Sequence, residues 1–357
     1  MSLPTDRPPY PPDPTHSLDG TASASGQAFG FDGYHAGIDV GGTKVLAVAT
    51  QPARPTRELA SVEHPTASGP DVLTVIDRTL GELRAAVGPE AGPLLAVGVG
   101  MPGLVTRSGV LRYGPHLPAA SELDVGARLS AARGVPVVVD NDGNCAAWAE
   151  HRLGAGAGHD DFVFVGLGTG ISCGLVIGGR RVRGTHGFAG EPGHMTVLPD
   201  GPRCACGRLG CWEALASGTA LAEQARRAAT GGRLDRVVQL AGGDPEAVLG
   251  EHVTLALAEG DPATMQLAGA FARWVGLGLA NLVNLLDPAV IALGGSVVDP
   301  RAPWMTLIGQ AYDDAVLAGP LRPCTSLVAA TAGRRAGAIG AALLAAESVP
   351  DLRRPAV

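Results

Sequence analysis

The sequence predicts a duplicated α/β protein, two halves built on one plan. Three observations carry that prediction. An apolar strand runs into a Gly turn and out into a second strand twice, through Asp39-Val-Gly-Gly-Thr-Lys44 and again through Gly166-Leu-Gly-Thr-Gly170. Each opening leads on to segments of helical periodicity and a further apolar strand. A third Gly pair, Gly294-Gly295, follows another short apolar strand near the end.

Composition sets the bounds. The chain has 357 residues, 46% hydrophobic and 17% charged, which suits a globular protein with room for two domains. A net charge of −7 argues against nucleic acid or an anionic membrane as partner and favours small-molecule ligands. The uncharged stretches, such as Val275 to Leu286, fall short of the roughly 20 residues of a membrane span. No basic and apolar leader opens the sequence, so a cytoplasmic, reducing location is expected. Of the six cysteines, Cys145, Cys173 and Cys324 lie in apolar sequence and are expected to be reduced core residues.

The elements follow in order. Residues 1–34 carry prolines at 4, 8, 9, 11, 12 and 14 and read as a disordered tail. Strands are expected over His35 to Val40, Val45 to Thr50 and Glu58 to Glu63. Pro70 to Val87 has helical periodicity through Val72, Val75, Ile76, Leu80 and Leu83. Leu94 to Val99 and Val135 to Asp140 read as buried parallel strands, the first ending in the turn Gly100-Met-Pro-Gly103. Asn141-Asp142 opens a helix that Gly154 and Gly156 stop after Leu153. The pattern then restarts with strands at Phe162 to Val165 and Ile171 to Ile177, and a short third strand at Val182. Helices are expected over Thr219 to Ala229 and Glu246 to Glu259. Asp261-Pro262, an N-cap followed by Pro at the first helical position, starts a long apolar helix to Leu286. Ala289 to Leu293 is a strand, Pro303 to Leu317 a helix, Ser326 to Ala330 a strand and Arg334 to Ala346 a closing helix.

Between these elements lies the densest chemistry, Glu191-Pro-Gly-His194 and Cys204-Ala-Cys206-Gly-Arg-Leu-Gly-Cys211-Trp-Glu213. It places one His, three Cys and two Glu within 23 residues. His194, Cys204, Cys206 and Cys211 form a complete tetrahedral zinc set with no open position, so the site is structural. Glu191 and Glu213 bracket the ligands, which suits holding a polar molecule. The competing reading is a knuckle that only staples a loop, with both glutamates solvated. The two Gly turns expose backbone N–H groups and together suit a polyphosphate, though either alone is equally an ordinary hairpin.

Taken together, Asp39 to Lys44, Gly168-Thr-Gly170, Glu191-x-x-His194, Cys204-x-Cys206-x4-Cys211-x-Glu213 and Leu293-Gly-Gly-Ser296 resemble the ROK family of sugar kinases and repressors. They are most similar to its bacterial ATP-dependent glucokinases, over about residues 35 to 347. The resemblance implies a duplicated ribonuclease H-like (actin-like ATPase) fold, two lobes around a cleft. It implies a smaller lobe over 35–140, with the closing helix near 334–347 packing on it. A larger lobe over 141–333 would carry the zinc segment 194–211. It implies ATP-dependent phosphorylation of a hexose at the C6 hydroxyl, glucose first, with Asp142 as general base. Asn141, Glu191, His194 and Glu213 are implied as sugar ligands. Asp39, Gly41, Gly42, Thr43, Gly168, Thr169, Gly170, Gly294 and Gly295 are implied around the nucleotide. ATP, Mg2+ and a structural Zn2+ are implied as cofactors, and a homodimer or homotetramer as the assembly.

Alternatives stay open at several points. Asp142 reads locally as a helix cap or first-turn carboxylate. Asp39 reads as a turn cap or as a carboxylate on the Mg2+ of MgATP. Lys44 reads equally as a phosphate contact or a strand-edge lysine. Mannose, fructose, N-acetylglucosamine and N-acetylmannosamine compete with glucose as substrate. A sugar-responsive repressor would need a helix-turn-helix before His35, where only Pro-rich residues stand. A zinc hydrolase would need a water on the metal, which this ligand set excludes. Three departures from the family pattern stand out: Ser172 in place of the commoner Gly, Pro115-His116-Leu117 near the sugar site, and Pro192 between Glu191 and Gly193. Because the Gly turns are distant from the knuckle in sequence, the zinc is expected to act on sugar affinity and little on ATP.

Overall fold

The structure is a computed structural model, and it describes residues 33–51, 54–66, 72–114, 117 and 120–349. Nearly all of the Pro-rich tail, and Pro115-His116, lie outside the described residues. Strands β1 (Tyr34–Val40), β2 (Lys44–Gln51) and β3 (Arg54–Pro65) form an antiparallel meander. Helix α1 (Val72–Val87) then leads to β4 (Leu94–Met101), parallel to β1. A small sheet of β5 (Leu104–Val105), β6 (Val110–Tyr113) and β7 (Leu123–Asp124) follows, then α2 (Val125–Arg133) and β8 (Val137–Asn141). The first large sheet has the order β3-β2-β1-β4-β8.

The chain repeats this plan. Helix α3 (Asp142–Leu153) passes to β9 (Phe162–Leu167), β10 (Ile171–Ile177) and the two-residue β11 (Arg180–Arg181). Helices α4 (Glu213–Ala216), α5 (Gly218–Thr230), α6 (Asp235–Leu240), α7 (Gly250–Ala258) and α8 (Pro262–Leu286) come next. Strand β12 (Val290–Gly294), helix α9 (Trp304–Ala315), strand β13 (Ser326–Ala329) and helix α10 (Ala336–Ser348) close it. The second sheet has the order β11-β10-β9-β12-β13, the order of the first sheet with its own strands substituted. In both, the meander is antiparallel and the last two strands are parallel. The duplication seen in the Gly turns is therefore a duplication of topology, the actin-like ATPase plan.

Two helices join the sheets. Helix α3 packs on β9 and β10, α10 packs on β1 and β4, and the two helices pack on each other. Their crossing is close enough that a Cβ on Gly340 would stand 1.7 Å from the Cys145 carbonyl oxygen, so only glycine fits. The largest core forms around α8, whose Phe271 meets Trp304 edge to face.

Several expectations change in detail. Helix α8 runs 25 residues and is, among the described residues, the one helix long and apolar enough to cross a membrane. Its bounds are those the sequence predicted, with Arg273 interrupting the uncharged run; Phe271, Val275, Leu279 and Val283 are buried and the helix packs on α4 and α9. The helix expected from Glu246 to Glu259 is broken: Pro245–Ala247 is a 3-10 turn capped by Asp244, and α7 starts only at Gly250. The short third strand lies at Arg180–Arg181, with Val182 N–H donating to the Leu175 carbonyl just beyond it. Cys145 and Cys173 are buried as expected, whereas Cys324 is exposed just before β13. All six cysteines are free thiols.

Candidate active site

Strand β8 delivers Asn141 and Asp142 to the mouth between the sheets. Asn141 is the N-cap of α3, its Oδ1 accepting from Asn144 N–H at 3.1 Å. Its Nδ2 donates to the Gly103 carbonyl at 3.2 Å. The capping role thus falls to Asn141, and Asp142 is the first helical residue, its Oδ1 accepting from Gly143 N–H at 2.9 Å. The helix is pressed onto β10: a Cβ on Gly143 would stand 2.5 Å from the Cys173 carbonyl oxygen. That contact fixes the depth at which Asp142 enters the cleft.

A cavity of about 780 Å³ opens there. Asn141, Asp142, Glu191, His194 and Glu213 line it together with Asp39 and Gly42 of the first turn, Gly168, Thr169 and Gly170 of the second, and Gly295. Residues spread over most of the chain therefore share one space. Gly41, Thr43 and Gly294 are adjacent to the lining without being part of it. Gly41 closes the first turn through N–H to the Lys44 carbonyl at 2.8 Å, and Gly294 ends β12 beside the Phe164 ring. Lys44 pairs with Glu63 across β2 and β3 at 2.8 Å, and Arg334 reaches the same carboxylate at 3.3 Å. Ser172 lies opposite Gly166 in the β9–β10 ladder, which leaves space for its hydroxymethyl group. Pro192 occupies the first position of a 3-10 turn, Pro192–His194, where its fixed φ suits the geometry.

The cleft is acidic. Burial pushes the Asp39 carboxyl up to about 7, the Asp142 charge pushes the same way, and Lys44 opposes them. Burial also pushes Glu191 up to about 7, with Asp142 and Glu213 adding to it. Such a cluster suits a cation, or hydroxyl groups that donate to carboxylates.

The knuckle supplies two walls. The ligand atoms of His194, Cys204, Cys206 and Cys211 all lie within 4.8 Å of one another. Cys206 Sγ and Cys211 Sγ are 3.6 Å apart, and Cys204 Sγ is 3.7 Å from His194 Nδ1. A tetrahedral zinc with Zn–S of about 2.3 Å needs sulfurs roughly 3.8 Å apart, so the set fits that ion. The turn depends on Gly210, with φ of +67° and no room for a Cβ against the Leu198 carbonyl, 1.5 Å away. Since Nδ1 faces the thiols, the other ring nitrogen of His194 is left for the cavity it lines. Trp212 anchors the knuckle, fully buried with Nε1–H donating to the Trp274 carbonyl on α8 at 2.7 Å. Glu213, next along, accepts from Ile171 N–H at 2.9 Å, directly after the second Gly turn.

A model of the ROK family matches residues 35–348. The chain belongs to the ROK family. The glucokinase of Streptomyces coelicolor is 36% identical over 318 residues, covering 88% of this chain and 98% of that protein. A ROK family glucokinase from Streptomyces griseus, solved in complex with glucose and AMPPNP, superposes with a TM-score of 0.79 at 35% identity, covering 88% of this chain and 100% of that one. An N-acetylmannosamine kinase of Escherichia fergusonii is 31% identical, covering 86% of this chain and 97% of its own.

Sequence reasoning missed other ROK cavity residues. Phe188, Arg208, Gly333, Arg334 and Gly337 all line the space. Gly333 and Gly337 flank the start of α10, and a Cβ on Gly337 would stand 2.6 Å from the Asp39 carboxyl carbon. The signal available was a Gly turn between the last strand and the last helix, repeating the motif noted elsewhere.

Proposed function

We propose that this chain is an ATP-dependent hexokinase that phosphorylates the C6 hydroxyl of a hexose, glucose foremost, with Asp142 as the general base. The observation that carries the reading is the single cavity in which Asp142 stands among both Gly turns, Glu191, His194 and Glu213. The relatives named above support the class of reaction, and the glucokinase complex with glucose and AMPPNP supports the pair of substrates.

The chemistry follows from the residues. Phosphoryl transfer asks for positioning and charge neutralisation more than covalent work. Glu191 and Glu213 accept from sugar hydroxyls, and Asn141 keeps one N–H and one lone pair beyond its cap and its bond to Gly103. The Asp142 carboxylate accepts from the C6 hydroxyl and aims its oxygen at the phosphate. It takes the proton late, so a base weakened by a helix N-terminus is adequate. The Gly168-Thr169-Gly170 and Gly41-Gly42-Thr43 turns offer N–H groups to the phosphates, Gly294-Gly295 borders the nucleotide, and Asp39 is the carboxylate for the accompanying Mg2+. His194, Cys204, Cys206 and Cys211 would hold a zinc ion with all four positions filled by protein, and it would supply rigidity and no reactive group. Leaving a buried hydrogen-bonding group unpaired costs about 1–3 kcal/mol, and more when it is a charged carboxylate, which discriminates against sugars lacking the matching hydroxyl.

The test is a coupled ADP-release screen of the purified chain with MgATP against glucose, mannose, fructose, N-acetylglucosamine and N-acetylmannosamine. Glucose is expected to give the highest kcat/KM. ADP release at background with every sugar sinks the reading.

A further inference from the structure

One residue before the Asn141-Asp142 pair, Asp140 is completely buried, and the reaction as described does not use it. It accepts four hydrogen bonds. Asn141 N–H reaches Oδ1 at 2.8 Å and Asn144 Nδ2 reaches it at 3.0 Å. Arg183 Nε reaches Oδ1 at 3.1 Å, and Arg181 Nη1 reaches Oδ2 at 2.7 Å. The two arginines come from β11 and the residues after it, on the second sheet, while Asp140 is the next-to-last residue of β8 on the first. The ion pairs therefore cross between the sheets.

The same segment makes further crossings. Arg183 Nη2 donates to the Thr106 carbonyl at 3.2 Å. Arg107, beside it, returns Nε and Nη2 to the Gly184 carbonyl at 2.9 and 2.6 Å. Arg181 also lies over the Trp148 ring of α3, 5.2 Å from its centroid. The strap that starts at Arg180 then runs on to Phe188, Gly190 and Glu191 at the cavity.

A buried ion pair is weak as a source of stability, because desolvation offsets the attraction; its attested use is to fix one geometry among several. Here the fixed geometry is the path of β8 into α3. Asp140 holds the backbone of Asn141 and the side chain of Asn144, the residues on either side of Asp142 in the first turn. We propose that Asp140 is a positioning residue, and that its pairs with Arg181 and Arg183 tether the two sheets behind the cleft so that Asp142 meets the sugar hydroxyl in register with the phosphate turns. This rests on the reading of Asp142 as the base.

The test compares kcat, the KM for glucose and for ATP, and the thermal midpoint of the full chain in wild type, Asp142→Asn, Arg183→Gln, Arg183→Lys and Asp140→Asn. The tether predicts a kcat loss of about tenfold to hundredfold for Arg183→Gln, the scale of a displaced reacting group. The ATP KM should stay within about threefold, and the midpoint well above the assay temperature. Arg183→Lys, which keeps a cation for Asp140, should recover part of the loss. A kcat for Arg183→Gln within about twofold of wild type overturns the tether. A loss seen only because the midpoint has fallen to the assay temperature overturns it too, since that marks a merely structural pair. If Asp140→Asn does not fold, Arg183→Gln decides alone. Failure of the underlying reading looks different: wild type releases no ADP, or Asp142→Asn turns over normally.

Discussion

At the scale of single residues, the sequence left Asp142 between a cap and a base. The structure gives the N-cap to Asn141, while Asp142 is a first-turn carboxylate that accepts from Gly143 N–H and also lines the cavity. Asp142→Asn keeps the shape and the hydrogen-bonding reach but removes the proton acceptor. It is expected to lower kcat by about 10²–10⁴-fold while glucose binding, measured by calorimetry without nucleotide, changes little. A variant with near-normal kcat would return Asp142 to the helix start and nothing more. Asp39 could not be settled in the same way. A carboxylate at a strand end next to a Gly turn looks alike whether it caps or binds a cation, and only the fold shows it half-buried in the cavity that Asp142 also lines.

At the scale of elements, sequence distance was a poor guide to independence. The knuckle and the second Gly turn are far apart in the chain, which suggested that zinc loss would spare ATP. The fold joins them, since Glu213 lies two residues beyond Cys211 and accepts from Ile171 N–H at the end of the second Gly turn. Cys206→Ser is therefore expected to lose the metal by elemental analysis and to raise the KM for both substrates. The sugar effect should be about tenfold, the size of one or two lost buried hydrogen bonds, and the ATP effect smaller but measurable. An unchanged ATP KM in a zinc-free variant would break this coupling. Legibility differed among elements for physical reasons. Long strands, the duplicated openings and the capped α8 announced themselves through period and punctuation. The two-residue strands β5, β7 and β11 are too short for alternation to show, and α2 and α6 offer only a turn or two of pattern. The clustering of His194, Cys204, Cys206 and Cys211 was legible because cysteine spacing is itself the geometry. Arg334, Phe188 and the Asp140 pairs were not, because they depend on which strand lies beside which.

At the scale of the whole molecule, folding gathers Asp39, Asp142, Glu191 and Glu213 around one cavity. Unfolded, these carboxyls titrate apart; folded, Asp39 moves from 3.8 to about 7 and Glu191 from 4.5 to about 7. A carboxyl raised in the folded state keeps a proton that the unfolded chain has already released. The folded form then binds more protons, so stability falls as pH rises between the two values. For Asp39 that window runs from 3.8 to about 7, and for Glu191 from 4.5 to about 7; above it the cost is constant. The ligand-free chain thus carries a strain at neutral pH that a cation and a polyol would relieve, the usual exchange of stability for a poised site. Melting curves of wild type and of the Asp39→Asn, Glu191→Gln double variant, taken from pH 4 to pH 8, test this. The variant should gain little at the acid end and about several degrees at pH 8. MgATP with glucose should raise the wild-type midpoint at pH 8 and leave the variant, which lacks both carboxylates, nearly unmoved. A gain in the variant that is the same at every pH would mean that charge gathered in the cleft is not what limits the stability of the empty protein.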